Sequence, residues 1–245
     1  MAERAAKKKK RDGQATRIKQ EFELAAAQPI TKTQERAFIS WDNGAHLFQH
    51  GYAGTGKTFV AIYLALRDII KGKFRKLYIV RSAVPSRTMG FLPGNEKEKV
   101  AVFEGAYRTI CAALYNRGDA YEILKQKGII EFITTSYLRG LTLDNCVIFA
   151  DEIQNMNGAE INTLITRCGE DTRVILSGDI NQTDLNNKYD ITGLPDIYRV
   201  LKELQQFTFI EYGVNDIVRS DFVRDYIVVR SRLESEGKIA TIATM

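Results

Sequence analysis

An α/β fold, with a mainly parallel β-sheet sandwiched between helices, is predicted by three features of the sequence. Short apolar segments alternate with helical patterns along most of the chain. One apolar segment runs into a glycine-rich loop and an amphipathic helix within residues 46–66. Another, residues 146–152, is apolar until it ends in two carboxylates, which is typical of a strand buried on both faces of a parallel sheet. Because no repeat or low-complexity linker divides the chain, we expect a single domain.

We expect residues 1–28 to form a basic, disordered tail and residues 29–245 to form the domain. Residues 1–20 contain eight lysines and arginines against two acidic residues, and they lack apolar periodicity. Such a tail is either simply solvated or a non-specific tether to nucleic acid phosphates, and the two interpretations are compatible. The sequence has neither a long apolar run nor a signal peptide pattern, which predicts a cytoplasmic protein with no membrane partner.

The first predicted element of the domain is a capped helix at residues 31–41. Gln34 in this helix lies seventeen residues before the glycine-rich loop. A glutamine amide can pair with the N6 and N7 edge of adenine through one donor and one acceptor. Gln34 is therefore a candidate for base recognition, and the alternative is an ordinary glutamine on a helix surface.

The loop that follows the first strand has the pattern G-x-x-x-x-G-K-[ST], which predicts a phosphate-binding site. Glycines let the backbone curl around an anion, and the following helix points the positive end of its dipole at the same place. We expect Lys57 to reach the β and γ phosphates of a bound nucleotide and Thr58 to coordinate Mg²⁺. A chance match in a turn is the alternative, but the loop lies between a strand and a helix, as the chemistry requires. The predicted nucleotide-binding residues here are Gly51, Tyr52, Ala53, Gly54, Thr55, Gly56, Lys57 and Thr58.

The second and third predicted strands place polar side chains at the ligand-binding edge of the sheet, where parallel strands end. The second strand ends at Arg81, and the third, at residues 129–140, ends in hydroxyls followed by Tyr137 and Arg139. An aromatic ring and positive charges suit single-stranded nucleic acid. The alternatives are a solvated charge at Arg81 and a polar turn around Tyr137 and Arg139.

The fourth and fifth predicted strands end in residues suited to nucleotide hydrolysis. Asp151 is expected to hold Mg²⁺, and Glu152 is expected to orient or deprotonate the attacking water. Asp179 and Gln182 follow the fifth strand, where an amide could sense the γ-phosphate. The alternative for the two carboxylates is that they cap the helix that begins near Asn157.

Several motifs together resemble the PhoH-like proteins, a group of P-loop ATPases that also occurs in bacteriophages, and we expect a bacteriophage member. The motifs are GYAGTGKT, GFLPGNEKEKV, SYLRGLTLDN, VIFADEIQN, SGDINQTDL and DIVRSDFV, in that order along residues 29–230. The resemblance implies a RecA-like P-loop NTPase fold, ATP hydrolysis, a hexameric ring, and handling of RNA or single-stranded DNA similar to that of superfamily 1 helicases. The chain departs from the family in having Ile153 within the acidic motif, Ser82 after Arg81, and Ser220 after Arg219.

A catalytic arginine from a neighbouring subunit is also expected. Only 66 residues follow Asp179, which is too few for a second RecA-like domain of about 100 to 150 residues. An arginine finger accelerates phosphoryl transfer by about 10³- to 10⁵-fold, so a neighbour would have to supply it. Arg219 is the first candidate, Arg139 and Arg167 are its rivals, and a helix-cap charge is the alternative role for Arg219. Head-to-tail supply predicts a closed ring with the active site at the subunit interface. The resemblance implies that this ring is a homohexamer.

Three classes of function remain open from the sequence. The first is an ATPase or helicase driven by RNA or single-stranded DNA. The second is an ATP-switched RNA-binding protein without unwinding activity. The third is a P-loop kinase, which would not need the water-activating Glu152.

Overall fold

The computed structural model describes residues 23–82, 103–179 and 193–239 of the chain. Six strands in these ranges form a single sheet in which every neighbouring pair is parallel. The strands are β1 (His46–Gly51), β2 (Lys76–Arg81), β3 (Ile130–Thr134), β4 (Cys146–Asp151), β5 (Arg173–Gly178) and β6 (Phe207–Tyr212). The α-helices of the same ranges are α1 (Lys32–Asp42), α2 (Lys57–Ile70), α3 (Gly105–Tyr115), α4 (Ala120–Gln126), α5 (Gly158–Thr166), α6 (Leu194–Glu203) and α7 (Asp221–Ser235).

The order of the strands brings the predicted ligand-binding segments to one edge of the sheet. The strands lie in the order β3-β2-β4-β5-β1-β6, so β5 separates β1 from β4. Because all six strands point the same way, the loops that follow β1, β4 and β5 leave from the same edge. This arrangement confirms the predicted RecA-like α/β class with a parallel sheet.

Apolar side chains cover both faces of the sheet, which accounts for the sandwich of helices. On one face Leu47 and Phe149 pack with helices α1 to α4 in one buried cluster. On the other face Phe48 and Ile148 pack with α5 and α6 in a second cluster. The two clusters alternate along each strand because successive side chains point to opposite faces. Strand β4 is buried along its whole length, as its apolar run predicts.

Helix α1 is capped at its start and attached to other elements at its end. At its start, the Thr31 hydroxyl accepts a hydrogen bond from the Gln34 N–H at 3.2 Å, which confirms the predicted cap. At its end, the Trp41 indole N–H donates to Asp68 of α2 at 2.9 Å, and the Arg173 guanidinium lies 4.2 Å from the centre of the Trp41 ring. The Trp41 contacts hold α1 against α2, and the Gln34 amide joins α1 to the glycine-rich loop by donating to the Thr55 carbonyl.

Strand β3 ends earlier than the sequence predicts. The expected strand ran through residues 129–140, but β3 covers Ile130–Thr134 and a 3₁₀ turn follows at Thr135–Leu138. The turn lets the Thr135 hydroxyl donate to the Glu160 carboxylate, and it buries Leu138 completely. Packing of Leu138 therefore outweighs continuation of the strand.

The described part of the chain begins inside the segment predicted as the tail, whose first 22 residues lie outside the described ranges. The Ala25 N–H donates to the Leu114 carbonyl at 2.8 Å, and Leu24 and Ala27 pack against the core. The boundary between residues 28 and 29 stays a prediction. Across the three described ranges, every helix falls short of the length and apolar content that crossing a bilayer demands.

Candidate functional site

The glycine-rich loop, residues 51–56, connects β1 to α2 and depends on three glycines. Gly51, Gly54 and Gly56 have backbone φ values of +115°, +76° and +83°, which residues other than glycine rarely adopt. A Cβ on Gly54 would lie 2.9 Å from Cγ of Arg219, and one on Gly56 would lie 2.9 Å from Nε2 of Gln34. The loop is thus enclosed by these two side chains, and it ends where α2 begins at Lys57.

Replacing Gly51 with alanine tests the close packing of this loop. A Cβ at Gly51 would lie 2.1 Å from the Tyr212 carbonyl oxygen of the neighbouring strand β6, so the strands must separate. We expect Gly51→Ala to lower the free energy of unfolding by about 2 kcal/mol or more, measured by urea denaturation. Gly44→Ala is the matched control, because Gly44 also has a positive φ of +98° but would place its Cβ in open space. Equal losses in the two variants would contradict this account.

Lys57 lies against the loop and interacts electrostatically with the carboxylates that follow β4 and β5. Its ammonium donates to the carbonyl oxygens of Gly51 and Tyr52, each at 2.7 Å. Burial lowers the pKa of Lys57, and the nearby charges of Asp179 and Glu152 oppose that shift. The ammonium is therefore positioned at the loop where a phosphate would need a positive charge.

Asp151 and Thr58 meet at the centre of the site, although 93 positions separate them in the sequence. The Thr58 hydroxyl donates to Oδ1 of Asp151 at 3.4 Å, and the Tyr107 hydroxyl donates to Oδ2 at 2.9 Å. Burial raises the pKa of Asp151, and the charge of Glu152 acts in the same direction, whereas Arg81 opposes it. A hydroxyl and a carboxylate are hard oxygen donors, so this pair fits Mg²⁺.

Glu152 has an unusual backbone conformation, and its carboxylate contacts a neighbouring glutamine. Its φ of +54° is left-handed, which costs energy for any residue with a side chain and is common at functional sites. The Gln154 amide donates to the Glu152 carboxylate, and Oε1 of Gln154 accepts from the Asp179 N–H at 3.1 Å. A Cβ on Gly178 would lie 2.3 Å from Oε1 of Gln154, so glycine makes room for this link. Gln154 thereby joins the end of β4 to the end of β5.

The residues predicted after β5 are only partly described. Asp179 follows β5 directly, and its charge acts on the pKa of Lys57, which places it on the same side of the site. Gln182, the predicted sensor of the γ-phosphate, lies outside the described residues.

A cavity of about 270 Å³ opens beside the loop, between α1 and the segment before α7. Its walls are formed by Gln28, Ile30, Gln34, Phe38, Gly54, Gly56, Phe59, Val60, Val218 and Arg219. Gln34 is only 4% exposed, which excludes the alternative of a surface glutamine. Its amide accepts from the Ile30 N–H at 2.8 Å and donates to the Thr55 carbonyl at 2.9 Å. The mixture of aromatic, aliphatic and amide groups suits a flat, polar-edged ring such as a nucleobase.

Arg219 lies in the wall of this chain's own cavity. The Val218 N–H donates to the Gly54 carbonyl at 3.0 Å, which ties the segment before α7 to the loop. The stem of Arg219 consequently covers Gly54. The sequence suggested a finger offered to a neighbouring subunit, and that role stays a prediction. In the structure the Arg219 side chain lies beside the loop of its own chain.

The three residues predicted to contact nucleic acid do not share one environment. The Arg81 guanidinium lies 4.7 Å from the centre of the Phe103 ring, and its charge acts on the pKa of Asp151. Tyr137 is 56% exposed, and Arg139 is exposed beside a polar cavity of about 460 Å³. The cavity is lined by Thr135, Ser136, Arg139, Asn157, Ala159, Glu160 and Thr163. Tyr137 and Arg139 are thus exposed at the surface, whereas Arg81 lies near Asp151.

Tyr107 contacts Asp151, the predicted metal ligand, and Gln154 contacts Glu152, the predicted base. Sequence reasoning assigned neither Tyr107 nor Gln154 a role. Tyr107 reads as one member of an apolar helical stripe, so its partner Asp151 could not be inferred. Gln154 stands two positions after Glu152 in the acidic motif, and that proximity was the only available signal.

Comparison with known proteins identifies relatives across most of the chain. The family model described as PhoH-like protein matches residues 26–230. A PhoH-like protein of Synechocystis is 36% identical over 188 residues, which cover 76% of this chain and 56% of the relative. One from Bacillus subtilis is 35% identical over 184 residues, covering 74% of this chain and 56% of the relative. The chain therefore spans little more than half the length of these two bacterial proteins.

A solved structure with a similar fold is the large terminase of a thermophilic bacteriophage. The match covers 84% of this chain and 50% of the terminase chain, with a TM-score of 0.49 and 13% sequence identity. At this distance the likeness says nothing about activity or substrate.

Proposed function

The chain belongs to the PhoH-like protein family, and we propose that it is an ATPase whose hydrolysis depends on RNA or single-stranded DNA. Its site is that of a P-loop NTPase, with the glycine-rich loop and Lys57 on one side and two carboxylates on the other. The observation that carries the proposal is the approach of the Thr58 hydroxyl to Asp151 at 3.4 Å, with Glu152 next in the chain. This arrangement places a metal-binding pair beside a candidate base.

Each residue would have a separate role in the reaction. Thr58 and Asp151 would hold Mg²⁺, which neutralises charge on the β and γ phosphates. Lys57 would exchange its bonds to the loop carbonyls for phosphate oxygens. Glu152, oriented by Gln154, would accept a proton from the attacking water. We propose that Gln34 and the cavity beside it hold the adenine, and that Arg219 contacts the nucleotide of its own chain.

Assembly into a homohexameric ring is a further part of the proposal, supported by helix α7. No residue of α7 is buried, and Phe222, Tyr226 and Val229 are 81%, 55% and 46% exposed. An apolar surface of this kind, next to the segment that carries Arg219, suits burial against another subunit. With Arg219 facing its own site, Arg139 is the exposed candidate for a finger from the neighbour, because the Nε atom of Arg167 is buried.

Nucleic acid contact is proposed at the edge formed by Tyr137. Base stacking on an exposed aromatic ring contributes about 1–3 kcal/mol. We expect Tyr137→Ala to weaken binding of a fluorescent single-stranded RNA or DNA about fivefold or more, measured by anisotropy. Ile39→Ala is the control, since Ile39 is a similarly exposed apolar residue, at 54%, on α1. If Tyr137→Ala bound as tightly as the control, this edge would not be the binding surface.

The experiment that tests the whole proposal is ATP turnover with and without single-stranded RNA and DNA, with the mass in solution recorded in the same buffer. The proposal predicts turnover that rises with nucleic acid and a mass of six chains. An ATP-switched binding protein would show slow turnover and no unwinding of a tailed duplex. Transfer of phosphate to an acceptor other than water would favour a kinase. A cytoplasmic location and a bacteriophage origin stay predictions.

A further inference from the structure

We infer that Tyr107 is a positioning residue for Asp151, the carboxylate proposed to bind the metal ion. Its hydroxyl holds one carboxylate oxygen so that the other remains turned toward Thr58. The inference rests on the proposed function, because it concerns the metal site of that ATPase.

The two oxygens of Asp151 have different partners. Oδ2 accepts from the Tyr107 hydroxyl at 2.9 Å, and Oδ1 accepts from the Thr58 hydroxyl at 3.4 Å. The shorter bond engages the oxygen that Thr58 does not contact. The longer contact, on the side of the loop, leaves Oδ1 available to a cation beside Thr58.

The environment makes Tyr107 a fixed donor. Tyr107 is completely buried, and its hydroxyl lies 2.9 Å from Oδ2 of Asp151. A tyrosine hydroxyl has one proton to donate, and an ionised carboxylate can only accept hydrogen bonds. The hydroxyl of Tyr107 therefore donates to the ionised form of Asp151, the form that a metal ion needs.

Tyr107 lies on a different element from the loop and β4. It belongs to α3, and its ring packs against Phe132 of β3 with 5.9 Å between ring centres. A buried side chain on a separate element restrains the rotation of Asp151. Groups that hold a metal ligand in this way typically alter metal affinity by about 10- to 100-fold when they are removed.

The test is binding of Mn²⁺ to the ADP complex of the full chain, measured by the loss of the free Mn²⁺ signal in electron paramagnetic resonance. Mn²⁺ replaces Mg²⁺ because both prefer carboxylate and water oxygens. We expect Tyr107→Phe to weaken Mn²⁺ binding about tenfold or more. Phe132→Leu keeps the hydroxyl but loosens the ring, so it should cause a smaller loss.

Tyr121→Phe is the matched control. Tyr121 is equally buried, and its hydroxyl donates to the Glu104 carboxylate at 3.0 Å. Both Tyr→Phe variants lose a buried hydrogen bond to a carboxylate, but only Tyr107→Phe should change Mn²⁺ affinity. Wild-type affinity in Tyr107→Phe, or equal weakening in both, would overturn the inference. If the wild-type ADP complex bound no Mn²⁺, the proposed function would fail together with the inference about Tyr107.

Discussion

Glu152→Gln is expected to lower kcat for ATP hydrolysis about 10²- to 10⁴-fold, the range that a general base contributes. Glutamine has the shape of glutamate and can keep the hydrogen bond with Gln154, but it cannot accept the proton of the attacking water. ATP affinity should stay within about twofold of wild type, because the loop and the metal-binding pair are untouched. Steady-state turnover and nucleotide titration on the same preparation separate the two effects.

The control for this variant is Glu211→Gln, which removes an exposed carboxylate from β6. We expect its turnover to match the wild type. Undiminished hydrolysis in Glu152→Gln would show that another group activates the water. A loss of ATP affinity equal to the loss of turnover would instead indicate that the carboxylate serves binding.

Lys57→Met is expected to weaken ATP binding and to lower kcat/KM at least about 100-fold, because the site loses a preorganised positive charge aimed at the phosphates. Methionine keeps much of the length and apolar surface of the side chain. The hydrogen bonds from the ammonium to the Gly51 and Tyr52 carbonyls place Lys57 at the loop. Titration of a fluorescent ATP analogue measures the binding loss.

Lys71→Met provides a comparison within the same helix. Lys71 caps the far end of α2 and is exposed, so the variant removes one charge without touching the loop. The analogue should bind it as tightly as it binds wild type. If Lys57→Met bound equally well, the loop would not be a phosphate site.

The arrangement of the sheet edge could be predicted because its signals are local. The apolar run of β4 ends at Asp151, and the loop pattern ends at Lys57 and Thr58. A parallel sheet then brings the ends of separate strands together, so the meeting of Thr58 with Asp151 follows from the order of the elements. Gln34 was singled out because it lies seventeen residues before the loop, and its amide indeed contacts the Thr55 carbonyl. Its contact with adenine stays a prediction.

Other features depend on tertiary contacts that leave little trace in the sequence. The hydroxyl of Tyr107 finds its partner 44 positions away, and in a helical stripe the residue is indistinguishable from a core tyrosine. Arg219 lies beside Gly54, and the bond from the Val218 N–H to the Gly54 carbonyl joins these two distant segments. The early end of β3 is likewise decided by the burial of Leu138.

The central claim is that the loop and the two carboxylates form one hydrolytic site, and phosphate release from ATP tests it most directly. The measurement uses wild type, Lys57→Met and Glu152→Gln, purified identically, with Mg²⁺ and single-stranded RNA present. The account predicts steady phosphate release by wild type and release at least about 100-fold slower by both variants. No release by wild type, or the same rate in all three proteins, would contradict it.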